Sequence, residues 1–411
     1  MTVIEFFDKN AIENMLSALL CQPDKVVYIG SSKKQMDARL ENYRKVLKAR
    51  CLETELVSHS VGRNKLQSIV AVLCRYVEET DLCVFNLDGG DDLYLVAAGI
   101  IAQRYGSRVQ LHRFNVRNNT ITDCDADGND QLAAPIRVSI DENIQIYGGR
   151  VIYEEARAGT TARWVMNEAF CRDIRQMWQI CREDPGRWNW VFAQLDRLGR
   201  NEEENKTGLC TCIKDINRRF AGHEDDCKEI MTVLTSLEHA GILQQLQLDR
   251  YSLSFCYKDP QIKKCLLKAG TILELYVAVV AQGLFENDER IYHDVLSGVW
   301  LDWDGRLEEN GQADVSNEID VMLMCGAVPV FISCKNGDVG IDELYKLDTV
   351  SSRFGGKYAK KVLVLTQPEK LGSRKEAIEL RAKEMGIRLL ENIDEMPVQE
   401  LESQLRLCWK Q

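Results

Sequence analysis

The chain has 411 residues, 45% hydrophobic and 28% charged, with 52 Lys and Arg against 63 Asp and Glu for a net charge of −11. At about 150 residues per domain this length predicts two or three domains, and the seven prolines and absence of biased tracts exclude a disordered polymer. The acidic balance excludes a protein that coats nucleic acid with its whole surface, so any grip on phosphate must be local.

No apolar run reaches the ~18 residues of a membrane span. The best candidate, Leu93 to Ala102, is closed off by Asp91-Asp92 and Gln103-Arg104. Met1 to Asp8 has no basic segment leading into an apolar one, so no secretory signal is read and the expected setting is cytoplasmic, away from membranes. Fifteen cysteines scattered from Cys21 to Cys408, without a CxxC pair, predict reduced thiols rather than a disulfide framework.

From Val3 to about Thr122, short β-rich runs alternate with helical ones. The strands are predicted at Val3–Phe7, Lys25–Gly30, Thr54–Ser58, Leu82–Leu87 and Arg108–Asn115. Between them, Ala11–Cys21, Lys33–Ala49, Arg63–Glu79 and Leu93–Tyr105 carry apolar residues at i, i+3 and i+4. The near-continuous apolar run Leu82-Cys83-Val84-Phe85-Asn86-Leu87 reads as a strand buried on both faces. This alternation predicts a doubly wound, parallel α/β domain over residues 1–150, with its ligand crevice at the carboxyl ends of the strands.

Residues 151–258 read as a mostly helical connector anchored by Trp164, Trp178, Trp188 and Trp190, with an exposed loop at Asn201–Asn205. Within it, a helix at Glu229–Leu243, a Gly241 turn and a ribbon at Tyr251–Tyr257 follow the order of a winged helix. The presumed recognition helix is not basic, which favours a structural connector over a DNA reader.

Residues 259–411 predict a second α/β domain. It reads as helix Gln261–Gly283, strands Glu318–Cys325 and Val328–Lys335 about a Gly326-Ala327 turn, helix Ile341–Arg353, strand Lys361–Thr366, helix Ser373–Met385 and strand Arg388–Leu390.

In the first domain the strand end Asn86-Leu87-Asp88-Gly89-Gly90-Asp91-Asp92 has paired glycines that allow a tight turn and close approach to a ligand. Its acids repel phosphate but cap a helix well, so alone it reads equally as a structural turn. Ile29-Gly30-Ser31-Ser32 and Phe7-Asp8-Lys9-Asn10 are further polar strand ends on the same edge. On these residues the region resembles the CRISPR-associated Rossmann-fold (CARF) sensor domain. That family's strand-end motif is usually Asn-x-Thr-Gly-Gly-Thr-Lys; this chain keeps Asn86, Gly89 and Gly90 but has Asp88 and Asp91 at the hydroxyl positions. The resemblance implies a homodimer binding a cyclic oligoadenylate through Asn10, Gly30, Ser31, Ser32, Asn86, Asp88, Gly89, Gly90 and Asp91.

In the third region, strand alternation puts Glu318 and Asp320 on one face of one strand, and Phe331, Ser333 and Lys335 on one face of the next. Lys335 closes an apolar run, where a charge needs a partner. Phosphodiester cleavage requires hard oxygen ligands for Mg²⁺ or Mn²⁺, an activated water and positive charge beside the developing oxyanion. Asp320 and the Cys334 carbonyl as metal ligands, with Lys335 orienting water or steadying charge, satisfy that list. The pattern resembles the PD-(D/E)xK nuclease core, with Glu274 as its upstream helix acid. Ser333 stands where the family has an acid. Either an acid migrates in from Glu274, Glu318 or Glu343, the reading favoured here, or the site is degenerate. From Lys335 to Arg388 basic residues exceed acidic ones, and Arg353, Lys357, Lys360 and Lys361 are the expected nucleic-acid contacts.

Three further patterns are set aside. Asp123 to Gly128 opens like a calcium loop, but its twelfth position is Ala134 rather than Glu. Cys210-Thr211-Cys212 with His223 and Cys227 has unusual spacing for zinc, in a segment that reads as helical. His59, His112, His239 and His293 are isolated in sequence, though His293 lies in the nuclease-like region and could approach its site.

Over nearly its full length the chain resembles CRISPR ancillary nucleases of the Can/Card type. The implied function is a cyclic-tetra-adenylate-activated, metal-dependent homodimeric nuclease that cuts DNA, single-stranded RNA or both. The competing expectation is a ligand-responsive DNA-binding regulator with a degenerate nuclease domain.

Overall fold

The computed structural model describes residues 1–115, 120–124, 136–154, 159–199, 208–216, 224–249, 251–306, 316–337 and 339–410. Most of the calcium-like loop from Asp125 on, the Asn201–Asn205 loop and His223 lie outside these residues.

The first sheet contains β1 (Thr2–Phe6), β2 (Lys25–Gly30), β3 (Glu55–Ser60), β4 (Cys83–Asn86), β5 (Val109–Asn115) and β6 (Thr120–Asp123), ordered β3-β2-β1-β4-β5-β6. The first five run parallel and β6 is antiparallel to β5. Every residue of β1 is buried, because helices cover both faces. α1 (Glu13–Cys21) and α2 (Lys33–Ala49) pack Met15, Leu16, Met36 and Leu40 against Val3 and Val26. α3 (Leu66–Glu78) and α4 (Asp92–Tyr105) pack Ile69, Leu73, Ala97 and Ile101 against Ile4 and Val27 on the other side. The expected Rossmann-like sheet is present, and its order reverses between β1 and β4, where such sheets open a crevice.

α5 (Ile140–Ile146) starts in a capping box between Ser139 and Glu142, and Glu142 also pairs with Arg50 at 2.5 Å. The chain then adds β7 (Arg150–Val151) to the edge of the second sheet.

The connector holds α6 (Glu168–Glu183), α7 (Pro185–Gly199), β8 (Cys210–Lys214), α8 (Glu224–His239), β9 (Leu243–Leu248) and β10 (Ser252–Tyr257), the strands ordered β8-β10-β9 and antiparallel. Helices followed by a β-hairpin give it the winged-helix-like form. Two expectations are corrected here. The Cys210–Cys212 segment is a strand rather than a helix, and Cys210 is joined to Cys256 in a disulfide. The bond follows from register: the two residues face each other across antiparallel strands, a proximity that spacing in sequence does not reveal.

The predicted helix Gln261–Gly283 is two helices, α9 (Pro260–Leu266) and α10 (Thr271–Gln282), set 119° apart about a turn ending in Gly270. No single helix among the described residues is long and apolar enough to cross a membrane. A small hairpin, β11 (Phe285–Glu286) with β12 (Glu289–Arg290), precedes β13 (Asp294–Asp302), β14 (Ser316–Cys325) and β15 (Val328–Asn336). α11 (Ile341–Gly355), β16 (Lys360–Thr366), α12 (Lys375–Glu384), β17 (Ile387–Leu390) and α13 (Val398–Leu407) follow. The second sheet is ordered β17-β16-β15-β14-β13-β7, antiparallel from β7 to β15 and parallel from β15 to β17.

α10 covers one face of this sheet: all its residues but Glu274 and Gln282 are buried, against Val321, Leu323 and Ile332. α11 covers the other face with Leu344, Leu347 and Val350 on Met322, Phe331 and Leu363. The same apolar core continues from α11 through α5 to α1 and α2, so the two sheets are buried against one continuous layer.

Candidate active site and ligand cleft

At the polar end of the second sheet, β14 and β15 raise Asp320, Ser333 and Lys335 on the face that α11 covers. Asp320 Oδ2 accepts from the Ser333 hydroxyl at 3.1 Å, the Cys334 amide at 2.7 Å and the Lys335 ammonium at 3.3 Å. Lys335 Nζ is also 3.3 Å from Glu343 Oε2 in the first turn of α11, and Glu343 Oε1 holds Lys346 at 2.6 Å. Burial opposes the Lys335 charge, but Asp320 and Glu343 outweigh it and hold the ammonium above the ordinary lysine range. For Glu343 burial is outweighed by Lys346 and Lys335, which lower the carboxyl. These groups line a cleft of about 340 Å³ with Trp300, Glu318 and Lys346.

Glu274 arrives from the first turn of α10 on the opposite side of the sheet. Burial, then the charges of Asp320 and Glu318, push its carboxyl up to about 8. Gly298, at φ +63 in β13, leaves room beside it: a Cβ there would sit 4.0 Å from Glu274 Oε2. Asp320, Glu274 and Glu318 supply hard oxygens beside Lys335, the donor type that a divalent cation takes. Among the described residues, however, no three His, Cys, Asp or Glu side chains converge into a ligating group. His293 does not approach this cleft as anticipated; its Nε2 is 2.9 Å from the Val138 carbonyl at the junction with α5.

The second candidate is a cleft of about 1100 Å³ at the carboxyl ends of β1, β2 and β4. Ser31, Ser32, Gly90 and Asp91 line it, as does Lys9. Gly90 has φ +96, and a Cβ there would lie 2.5 Å from Phe6 Cβ, so only glycine lets the β4 turn pass this close to β1. Gly89 and Gly30 are similarly hemmed in, by the Phe6 carbonyl and by the Phe7 and Met36 side chains.

Other predicted ligand residues turn elsewhere. Asn86 is buried and donates to both oxygens of Glu5 and to the Glu13 carbonyl. Asp88 accepts from the Phe114 amide at 2.6 Å, and burial pushes its carboxyl up to about 7. Asn10 sits beside Gly356, its Oδ1 3.1 Å from where a Cβ on that glycine would stand.

Two features of this cleft were not foreseen. α2 presents the stripe Gln35, Arg39 and Asn42, whose helical spacing is visible in sequence, while Asp304, Gly305, Arg306 and Arg353 reach in from the second sheet's elements.

Three members of the predicted basic group have partners within the chain. Arg353 donates to the carbonyls of Tyr147 and Trp303, and Lys357 pairs with buried Glu13 at 2.5 Å. Lys361 pairs with Asp348 at 2.7 Å, and burial lowers the Lys360 ammonium.

Fold and geometry together define a two-sheet α/β protein with a winged-helix-like connector, a strand-end cleft on one sheet and a lysine-carboxylate cleft on the other. No family model and no curated protein matches the chain. Among solved structures it is similar to protein VC1899 of Vibrio cholerae, with a TM-score of 0.74 at 18% identity over 100% of this chain and 98% of that one. It is also similar to Can2 of Sulfobacillus thermosulfidooxidans, solved with cyclic tetra-adenylate, with a TM-score of 0.65 at 14% identity over 98% and 99% of the two chains. At these identities the likeness is one of fold.

Proposed function

We propose that the chain is a ligand-activated nuclease of type III CRISPR defence: a CARF domain over residues 1–150 senses a cyclic oligoadenylate, cyclic tetra-adenylate in the first instance. On this reading residues 151–258 connect it to a restriction-endonuclease-like domain of the PD-(D/E)xK kind over residues 259–411, and the working unit is a homodimer. The observation that carries it is the pairing of a strand-end cleft with the Asp320–Ser333–Lys335–Glu343 cleft in one chain whose fold runs end to end with that of a protein solved with cyclic tetra-adenylate.

Mn²⁺ or Mg²⁺, held by Asp320 and Glu274 with the Cys334 carbonyl, would supply Lewis acidity and lower the pKa of a bound water. Ser333 fixes one oxygen of Asp320 and leaves the other for outside partners. Lys335 sets a positive charge beside the departing oxygen, where negative charge builds as the P–O bond breaks, and Glu343 steers that ammonium. The substrate is DNA, single-stranded RNA or both.

A second reading, a regulator whose nuclease domain is degenerate, draws on Ser333 in the acid's place and on the winged-helix-like connector. The charge of α8 counts against it, since Glu224, Asp225, Asp226 and Glu229 outnumber Lys228 in its first turns. Incubating the protein with labelled single strands, with and without cyclic tetra-adenylate and Mn²⁺, decides between them. Cleavage that requires both additions and is lost in Lys335→Ala supports the nuclease; tight DNA binding without cleavage supports the regulator.

A further inference from the structure

We propose that Arg39 of α2 and Arg353 of α11 form a two-armed site for a phosphodiester anion where the strand-end cleft meets the second sheet, and that α11 transmits its occupation to Lys335. The identity of the anion, a phosphate of a cyclic oligoadenylate, rests on the function proposed above; the anion site itself does not.

Both arginines line the same cleft. Arg39 donates to the Asp8 carbonyl at 3.3 Å and to the Tyr43 side chain, Arg353 donates to the Tyr147 and Trp303 carbonyls, and among the described residues neither is paired with a carboxylate. Each guanidinium lies against a ring, Arg39 5.2 Å from the Phe7 centroid and Arg353 5.1 Å from that of Phe354. Planar forks oriented in this way suit bidentate recognition of phosphate.

Four of the five acids that line the cleft have partners of their own: Asp37 accepts from Ser58, Asp8 Oδ1 from the Asn10 amide at 3.1 Å, Asp304 Oδ1 from the Arg306 amide at 2.9 Å, and Asp91 pairs with Arg63 at 3.9 Å; the fifth, Glu41, is exposed on α2. Burial, then the charge of Arg39, hold the Arg353 guanidinium below its ordinary range. Two cations lining one cleft are stabilised by an anion held between them. Gly148, at φ +87, keeps the gap open, since a Cβ there would come within 2.9 Å of Asn42 Nδ2 and 3.7 Å of Arg353.

The transmission follows from where α11 begins and ends. Its first turn carries Glu343 on Lys335, its last turn carries Arg353 into the cleft, and its 15 residues form one rigid rod of about 22 Å. An anion that draws Arg353 toward Arg39 therefore shifts Glu343 against Lys335. The ligand favours whichever arrangement lets both arms close.

The test titrates the full chain calorimetrically with cyclic tetra-adenylate and with pyrophosphate, for wild type, Arg39→Gln and Arg353→Lys, each checked for folding by thermal melting. Both variants should lose affinity for both anions by about tenfold or more. At saturating cyclic tetra-adenylate, Arg39→Gln should recover full stimulation of cleavage and Arg353→Lys should not, because it also breaks the link to α11. Wild-type affinity for both anions in either variant overturns the site, as does failure of both anions to bind the wild type. Full stimulation of Arg353→Lys at saturation overturns the transmission. If pyrophosphate binds the wild type and neither variant while cyclic tetra-adenylate does not bind at all, the site stands and the proposed ligand falls.

Discussion

The hydroxyl of Ser333 donates to Oδ2 of Asp320 at 3.1 Å, the same oxygen that Lys335 reaches at 3.3 Å. A neutral donor thus occupies the place where a second acid would add charge, and its contribution is separable from that of the cation. Ser333→Ala removes one neutral donor from a carboxylate, should lower stability by about 1.5 kcal/mol, and should leave cleavage within a few-fold. Lys335→Ala removes the charge beside the departing oxygen, and cleavage should fall by about 100-fold or more with activator affinity unchanged. Single-turnover cleavage of a labelled strand in Mn²⁺, beside a binding titration, measures both; wild-type cleavage by Lys335→Ala would place the chemistry elsewhere.

Glu274 makes the site sensitive to pH in a defined direction. Its carboxyl, pushed up to about 8, keeps a proton in the folded chain that the unfolded chain releases at its ordinary value of 4.5. Stability contributed here is present below about 4.5 and declines as pH rises toward about 8. Glu5, also raised to about 8, and Asp88, raised to about 7, add slopes of the same sign, so the comparison must be with a variant. Urea midpoints at pH 5 and pH 8 should differ less in Glu274→Gln than in wild type. A divalent cation favours the ionised carboxylate, so adding Mn²⁺ near pH 7 should expel protons from wild type and fewer from Glu274→Gln. Equal proton release would remove Glu274 from the metal site.

Periodicity locates the first sheet because its strands are buried on both faces and its helices keep one apolar stripe each; Lys25–Gly30 and Lys33–Ala49 have the bounds that spacing alone predicts. β13 escapes it because Ser297 and Gly298, at φ +63, interrupt its apolar run, although it pairs with β14 from Asp294 to Asp302. Alternation does bring Asp320, Ser333 and Lys335 to one face, since side-chain direction in a strand is set by parity. It cannot tell that Asn86 is spent on buried Glu5, that Lys357 pairs with Glu13, or that Arg353 enters the strand-end cleft. Those outcomes depend on which distant element packs above each residue.

Glu13 and Lys357 tie the two sheets together. Glu13 is 1% exposed, and one of its oxygens accepts from both Lys357, at 2.5 Å, and Tyr358. Lys357→Ala leaves a buried carboxylate short of its cationic partner and should cost on the order of 1–3 kcal/mol. If the pair is the cause, the loss should be much smaller when Glu13 is already Gln. A double-mutant cycle on thermal or urea unfolding reads that coupling, and additive losses would mean that the two residues act independently.

Two glycines separate backbone demand from mere tolerance. Gly90→Ala puts a methyl group against Phe6, which stacks on Tyr94 at 5.9 Å, and forces an alanine to φ +96. It should destabilise the protein by about 1–3 kcal/mol and weaken ligand binding by distorting the cleft floor. Gly99 lies within α4 with nothing within 4 Å of where an added methyl group would stand, so Gly99→Ala should instead stabilise, by about 0.5–1 kcal/mol. Melting curves of the two variants, moving in opposite directions, check the claim.

The bridge between Cys210 and Cys256 makes a prediction that needs no activity assay. The two cysteines face each other in β8 and β10 and close a separation of 46 residues, while the chain's other thirteen cysteines form no disulfide. Alkylating the denatured protein before reduction should therefore label thirteen cysteines, and all fifteen after reduction. Loop-closure entropy for a separation of 46 residues corresponds to about 4 kcal/mol of stabilisation. Because Trp178 and Trp188 are buried in the core that the connector shares with α10, reduction should lower the unfolding midpoint read by tryptophan fluorescence. The Cys256→Ser variant should show that lower midpoint with or without reductant. Fifteen labelled thiols without reduction, in protein purified aerobically, would mean that the two strands are held by their hydrogen bonds alone.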